Sequence, residues 1–324
     1  MAPSRRFAQG IPPVVQVLLC HLRAWLLRFR DPDAMVEQIL EIGGMKVRSR
    51  SEGRGPPLFF FYDQWHTSAG LDSLVTKLQY RFRVYTVDPP GFGGSPLPND
   101  YPLTPKDYAR FLGEALATVG GGRIILVLQD LGLPIGLEGF REGLISPDKI
   151  EAVILMNGLV FEEQKGGVFS SRPSHFLKGR DLPTDRMAHR RRLIKCYGDP
   201  DSLDEGLAQA AWDSYIQGYL RSHVKLGNAI EESIVHTKDR LQALASTGIP
   251  VLILWGEDDI LGGKEVAARL GELLPEAEGF LLPGVGHFPQ VEAPDEVAQE
   301  ISAFVERKKP GASPSASGHP AESS

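Results

Sequence analysis

Three side chains far apart in the sequence are of types that do chemistry together. Asp130 stands in Gln129-Asp130-Leu131-Gly132, Asp259 in Trp255-Gly256-Glu257-Asp258-Asp259, and His287 in Gly286-His287-Phe288-Pro289. A carboxylate is ionised near neutral pH, the unperturbed Asp pKa being about 3.9, so Asp130 needs no base before it attacks an electrophilic carbon. That attack leaves an ester between substrate and protein. A histidine oriented by a second carboxylate then activates the water that hydrolyses the ester. No metal or organic cofactor is implied.

The elements around these residues must bring them together. Ile124–Leu128 is a continuous apolar run, as expected of a strand buried on both faces of a parallel sheet. Leu133–Leu144 continues as a helix, with the small residue Gly132 two positions after Asp130. This strand–turn–helix layout lifts the Asp130 side chain above the strand end, where the first helical N–H groups favour negative charge. Asp259 and His287 follow two further apolar runs, Val251–Trp255 and Gly279–Leu282. An Asp before a helix is often only an N-cap, and a His in a Gly-rich loop is often only a hydrogen-bonded structural residue. Chain order and the surrounding motifs favour the chemical reading. Asp258 and Asp259 are adjacent, and the residues alone leave open which of the two is the acid. Gly91-Phe92-Gly93-Gly94 is not followed by Lys-Ser/Thr and reads as a tight loop rather than a phosphate cradle.

The other strand candidates are Met45–Ser51, an outer hairpin strand, then Pro57–Tyr62, Arg83–Val87 and Ala152–Met156. Helical spacing marks Leu71–Tyr80, Pro105–Val119, Leu133–Gly143, Lys264–Leu274 and Pro294–Arg307. The alternation signals βαβ units. Phe161–Leu244 breaks the rhythm: it has no clear strand, is locally basic, and holds helical runs such as Leu207–Leu220. It reads as a helical lid over the carboxyl ends of the strands, where open parallel sheets bind ligands.

At 324 residues and 42% hydrophobic, the chain can bury one α/β core plus a small inserted domain. The net charge of -6 argues against a nucleic-acid partner. Cys20 and Cys196 are the only cysteines, so no disulfide framework is expected. Residues 1–34 carry five arginines up to Arg30 with no acid before Asp31, and the apolar part, Ile11–Cys20, is too short to span a bilayer. This segment fits an organelle-targeting peptide, weak membrane-surface association, or a helix packed on the body of an otherwise cytoplasmic protein. The end of the chain, rich in Pro, Ser and Gly, reads as a disordered tail. The expected division is 1–34 as the basic segment, 35–160 and 247–308 as two parts of the core, 161–246 as the lid, and 309–324 as the tail.

From about Ile42 to Arg307 the chain resembles the α/β-hydrolase fold, within it the branch of haloalkane dehalogenases and epoxide hydrolases. The resemblance rests on Asp88-Pro89-Pro90-Gly91-Phe92-Gly93-Gly94-Ser95, the Asp130 turn, Trp255–Asp259 and Gly286–Pro289, in that order. It implies a mostly parallel central sheet with an inserted helical lid, Asp130 as nucleophile, Asp259 as acid, and His287 as base. Asn157 ends its strand where some dehalogenases place their acid. The resemblance assigns oxyanion stabilisation to the backbone N–H groups of Leu131 and Gln64.

Two departures stand out. The loop that usually reads His-Gly-x-Pro is Tyr62-Asp63-Gln64-Trp65, which brings a carboxylate near the oxyanion. Leu131 replaces the Trp whose indole holds a leaving halide, a bond Leu cannot donate. Gln64, Trp65 and Trp212 are the remaining leaving-group candidates. For epoxide opening the lid offers Tyr197, Tyr215 and Tyr219, the last two four apart and so on one helix face. The readings left open are a dehalogenase-like hydrolase of small apolar molecules, an epoxide hydrolase, and a ligand binder that has lost turnover. Serine ester hydrolysis is disfavoured because no Ser occupies the turn.

Overall fold

The computed structural model describes residues 35–61, 67–165, 183, 185–216 and 220–309. Eight strands form one sheet in the order β1-β2-β4-β3-β5-β6-β7-β8. They are β1 Val36–Ile42, β2 Met45–Glu52, β3 Pro57–Phe61, β4 Arg83–Val87, β5 Ile124–Gln129, β6 Ile150–Met156, β7 Val251–Gly256 and β8 Glu278–Leu282. The first hairpin and the β2–β4 pair are antiparallel. Every later pair is parallel, with registers such as Phe61↔Leu128, Leu128↔Leu155 and Leu254↔Phe280.

The connecting helices cover both faces. They include α1 Asp72–Leu78, α2 Pro105–Thr118, α3 Gly132–Arg141, then α4 Arg186–Leu193, α5 Glu205–Ser214, α6 Leu220–Ser233 and α7 Thr237–Ser246 between β6 and β7. After β7 come α8 Lys264–Leu273, α9 Pro289–Glu292 and α10 Pro294–Lys308. Alternate residues of the central strands serve opposite layers. Phe59, Leu126 and Val153 pack with α2, α3 and α7, whereas Phe60, Val127 and Ile154 pack with α1 and α10. Burial on both sides is why these strands read as unbroken apolar runs. From β3 the chain crosses to β4 on one side and later to β5 on the other, so the strand order reverses between β3 and β5, where a doubly wound sheet opens a crevice at its carboxyl edge.

The fold class is as expected, a mostly parallel central sheet with helices on both faces. The hairpin differs from expectation. Met45–Glu52 is not the outer strand: it pairs with both β1 and β4, and Val36–Ile42 forms the edge. The edge strand was illegible because its faces are mostly exposed, Ile39 included at 63%, so it carries no alternating apolar signal. Between β6 and β7 the described residues contain helices and no strand. Asp185 and Asp204 start α4 and α5 by accepting from Ala188 N and Leu207 N, each at 2.8 Å. Within the run Leu207–Leu220, α5 ends at Ser214, and residues 217–219 lie outside the described residues.

Among the described residues no helix is long and apolar enough to cross a membrane. The basic segment, the tail beyond Lys309 and Tyr62–His66 lie outside the described residues.

Candidate active site

Asp130 occupies the sharp corner between β5 and α3. Its φ of 51° lies in the left-handed region, unusual for a residue with a side chain. Two backbone bonds hold the corner: Asp130 N donates to Asn157 O at 2.7 Å, and Leu133 N donates to Asp130 O at 3.2 Å. Beneath it, α3 meets β3 so closely that a Cβ on Gly132 would stand 2.2 Å from Phe61 O. Gly132→Ala should therefore push α3 off the sheet and cost about 1–3 kcal/mol in urea unfolding, as overpacking does. Gly271→Ala, on α8 where an added Cβ meets nothing, is the control and should stabilise by up to about 1 kcal/mol. Equal effects at the two sites would refute the close-approach argument.

Asp259, in the loop after β7, and His287, in the loop after β8, come to the same point. His287 Nδ1 lies 3.1 Å from both Asp259 oxygens, and Nε2 lies 3.3 Å from Asp130 Oδ1. All three residues are buried, whereas Asp258 is exposed. Burial opposes charge on His287, yet the negative charge of Asp259 and hydrogen bonds to Asp130 and Asp259 outweigh it. Its pKa is raised well above the ordinary histidine value. Asp130 Oδ2 is buried and has no hydrogen-bond partner among the described residues.

Asn157, at the end of β6 with φ 27°, ties the three loops together. Its Nδ2 donates to Asp259 Oδ2 at 2.7 Å and to Gly286 O at 3.1 Å, and its Oδ1 accepts from Gly256 N at 2.9 Å. The resemblance treated this position only as one where an acid is absent. Here a neutral amide orients the acid carried by the neighbouring strand. A second bond to Asp259 comes from Leu261 N at 2.9 Å, and Gln129 Nε2 reaches His287 O at 3.3 Å. A polar residue closing a buried apolar run is the signal that could have marked Asn157 and Gln129.

Leu131 caps the start of α3 with its side chain buried, and its backbone N–H belongs to the unpaired first turn of that helix. Gln64 and Trp65 lie outside the described residues, as does Tyr219. Tyr215 is the residue that closes α5. The Tyr215 hydroxyl donates to Pro183 O at 3.1 Å, and its ring stacks on Trp212 with centroids 5.5 Å apart. His189 packs on the same pair, so Trp212 and Tyr215 belong to an aromatic cluster. Tyr197 packs on Phe288 at 5.1 Å, next to His287. Among the described residues no group of three or more His, Cys, Asp or Glu side chains is arranged to hold a metal ion.

The model of the alpha/beta hydrolase family matches residues 55–300, and the chain belongs to that family. It is a hydrolase of the α/β-hydrolase superfamily. It is 24% identical over 276 residues to 2-(acetamidomethylene)succinate hydrolase of Mesorhizobium japonicum, covering 85% of this chain and 96% of that protein. It is 27% identical over 276 residues to haloalkane dehalogenase 2 of Mycobacterium tuberculosis, covering 81% and 91%. Among solved structures it resembles the haloalkane dehalogenase DbeA-M1 loop variant from Bradyrhizobium elkanii, with a TM-score of 0.70 at 16% identity over 85% of this chain and 97% of that one.

Proposed function

We propose that this hydrolase works through Asp130 as nucleophile and a covalent alkyl ester, in the manner of a haloalkane dehalogenase, on a small apolar substrate. The observation that carries the reading is the pair of Asp130 oxygens. Oδ1 is 3.3 Å from His287 Nε2, while Oδ2 is buried and without a hydrogen bond among the described residues. A buried carboxylate oxygen left without a donor is costly unless it faces a reacting partner.

In the first step Asp130 Oδ2 forms a bond to the substrate carbon as the carbon–halogen bond breaks, and the halide leaves with the electron pair. In the second step water attacks the ester carbonyl carbon and gives its proton to His287 Nε2, whose opposite nitrogen faces Asp259. The resulting oxyanion lies where the Leu131 N–H at the start of α3 can stabilise it. Collapse releases the alcohol and restores Asp130. The sum is alkyl halide plus water giving alcohol, halide and a proton.

Because the Leu131 side chain has no donor, the halide is assigned to Gln64 or Trp65. Residues 161–246 are read as a lid, supported by Cys196 O accepting the His287 N–H at 2.7 Å. Epoxide hydrolysis is less well supported, since the Tyr215 hydroxyl is engaged with Pro183 O.

The test is a product screen with short haloalkanes and small epoxides, following halide and diol, with Asp130→Ala beside the parent. Halide release that falls to background in the variant is expected. Diol alone would replace the dehalogenase reading with the epoxide one. Neither product from folded protein, with ligand still bound, would overturn both in favour of a binder.

A further inference from the structure

Glu292 lies on α9, five residues beyond His287 in the sequence. Its Oε2 accepts from Gly198 N at 2.7 Å, Gly286 N at 3.0 Å and Asp199 N at 3.4 Å, and its Oε1 accepts from Phe288 N at 3.2 Å. The N–H groups on either side of His287 are thus both bound to one carboxylate. That carboxylate also binds two N–H groups from the stretch between β6 and β7. His287 adds its own backbone bond to the same stretch, donating to Cys196 O at 2.7 Å.

The two segments touch backbone to backbone. A Cβ on Gly286 would stand 2.4 Å from both Cys196 O and Gly198 N, and one on Gly198 would stand 2.2 Å from Gly284 O. Two facing glycines permit this approach, and the carboxylate gathers the N–H groups that it brings together. Nothing in the local sequence requires so many acceptor bonds at the end of a four-residue helix.

We infer that Glu292 is a positioning residue for His287, fixing where Nε2 stands relative to Asp130 by locking the histidine loop to Cys196–Asp199. The segment between β6 and β7 and the proposed base are then held in one register, and the base is placed only while that segment is docked. The role of His287 in this inference rests on the proposed reaction; the clamp itself rests on geometry. Burial pushes the Glu292 carboxyl above the ordinary glutamate value, against the lowering effect of its four backbone bonds. An isosteric amide is therefore the informative replacement: Glu292→Gln keeps an acceptor for three of the N–H groups and presents an NH₂ to Phe288 N.

The experiment uses the full chain as parent, Glu292→Ala and Glu292→Gln. The first readout needs no substrate: the NMR signal of the His287 Nδ1–H facing Asp259, with the titration of the ring. It should be lost to exchange or displaced in Glu292→Ala and largely restored in Glu292→Gln. The second is ester formation against ester hydrolysis with a short haloalkane. A 1 Å misplacement can cost about 10²-fold, so Glu292→Ala should slow hydrolysis by about that factor and leave alkylation within about twofold. A parent-like ring signal and titration in folded Glu292→Ala would overturn the inference. If Glu292→Ala does not fold, Glu292→Asp takes its place, since its shorter carboxylate cannot reach all four N–H groups, and a parent-like ring signal with unchanged hydrolysis there would overturn the inference. A displaced ring signal with no ester from any electrophile in the parent supports the clamp and refutes the reaction instead.

Discussion

The His287→Phe protein is expected to stall as a covalent ester. In the proposed reaction alkylation asks nothing of His287, because Asp130 attacks as an anion. Hydrolysis asks everything of it, because water must lose a proton as it attacks. Removing a general base typically costs 10²–10⁴-fold, so steady turnover should fall by about that factor. One equivalent of halide should still be released, and the peptide carrying Asp130 should gain the mass of the alkyl group. A variant with undiminished turnover, or one with no adduct from any electrophile that the parent consumes, would remove His287 from the role assigned here.

The pH dependence follows from the same contacts. In the free protein His287 is held well above its ordinary pKa by Asp259 and Asp130, despite burial, so the ring holds its proton more tightly than a free imidazole does. In the proposed reaction, esterification neutralises Asp130 and removes its charge and much of its attraction for the ring proton. The pKa must then fall, which turns His287 into a base at the moment it is needed. Ester hydrolysis should therefore rise with pH to a plateau, with an apparent pKa below that of the free protein. Stability runs the other way. A folded-state pKa above the unfolded one, about 6.5 for His, stabilises fully below that value and loses its contribution as pH rises through the folded pKa. The advantage of the parent over His287→Phe in urea unfolding should shrink across that window.

The convergence of Asp130, Asp259 and His287 could be read from the sequence because each follows an apolar run that had to become a strand of the same parallel sheet. A shared sheet edge then brings together loops separated by more than a hundred residues. The residues that hold them were illegible for the opposite reason. Asn157 and Glu292 act through backbone groups of loops remote in sequence, and no spacing rule encodes a carboxylate that accepts from Gly198 and Gly286 at once.

Arg240→Ala should be among the most destabilising single changes in the molecule, at about 3–5 kcal/mol. Arg240 Nε, on α7, donates to Glu138 Oε2, on α3, at 2.6 Å, and the two side chains are only 2% and 5% exposed. Arg141 Nη2 takes the other Glu138 oxygen at 2.6 Å. The pair is weak evidence of stabilisation as such, because desolvating two charges offsets most of their attraction. Arg240 Nη1 adds to that cost, being buried without a hydrogen bond among the described residues. Breaking the pair is another matter: it leaves Glu138 buried with a single, partly exposed cation. Arg240→Met combined with Glu138→Leu should recover the loss, and can exceed the parent by about 1–4 kcal/mol. Urea unfolding of the singles and the double gives the coupling, and a single-variant cost under about 1 kcal/mol would show that water already reaches the pair. Glu138 sits on the helix whose first turn follows Asp130, which sharpens the comparison. A double variant with full stability but slower ester formation would mean that the ion pair is kept to hold α3 in register with α7, and so to aim the carboxylate.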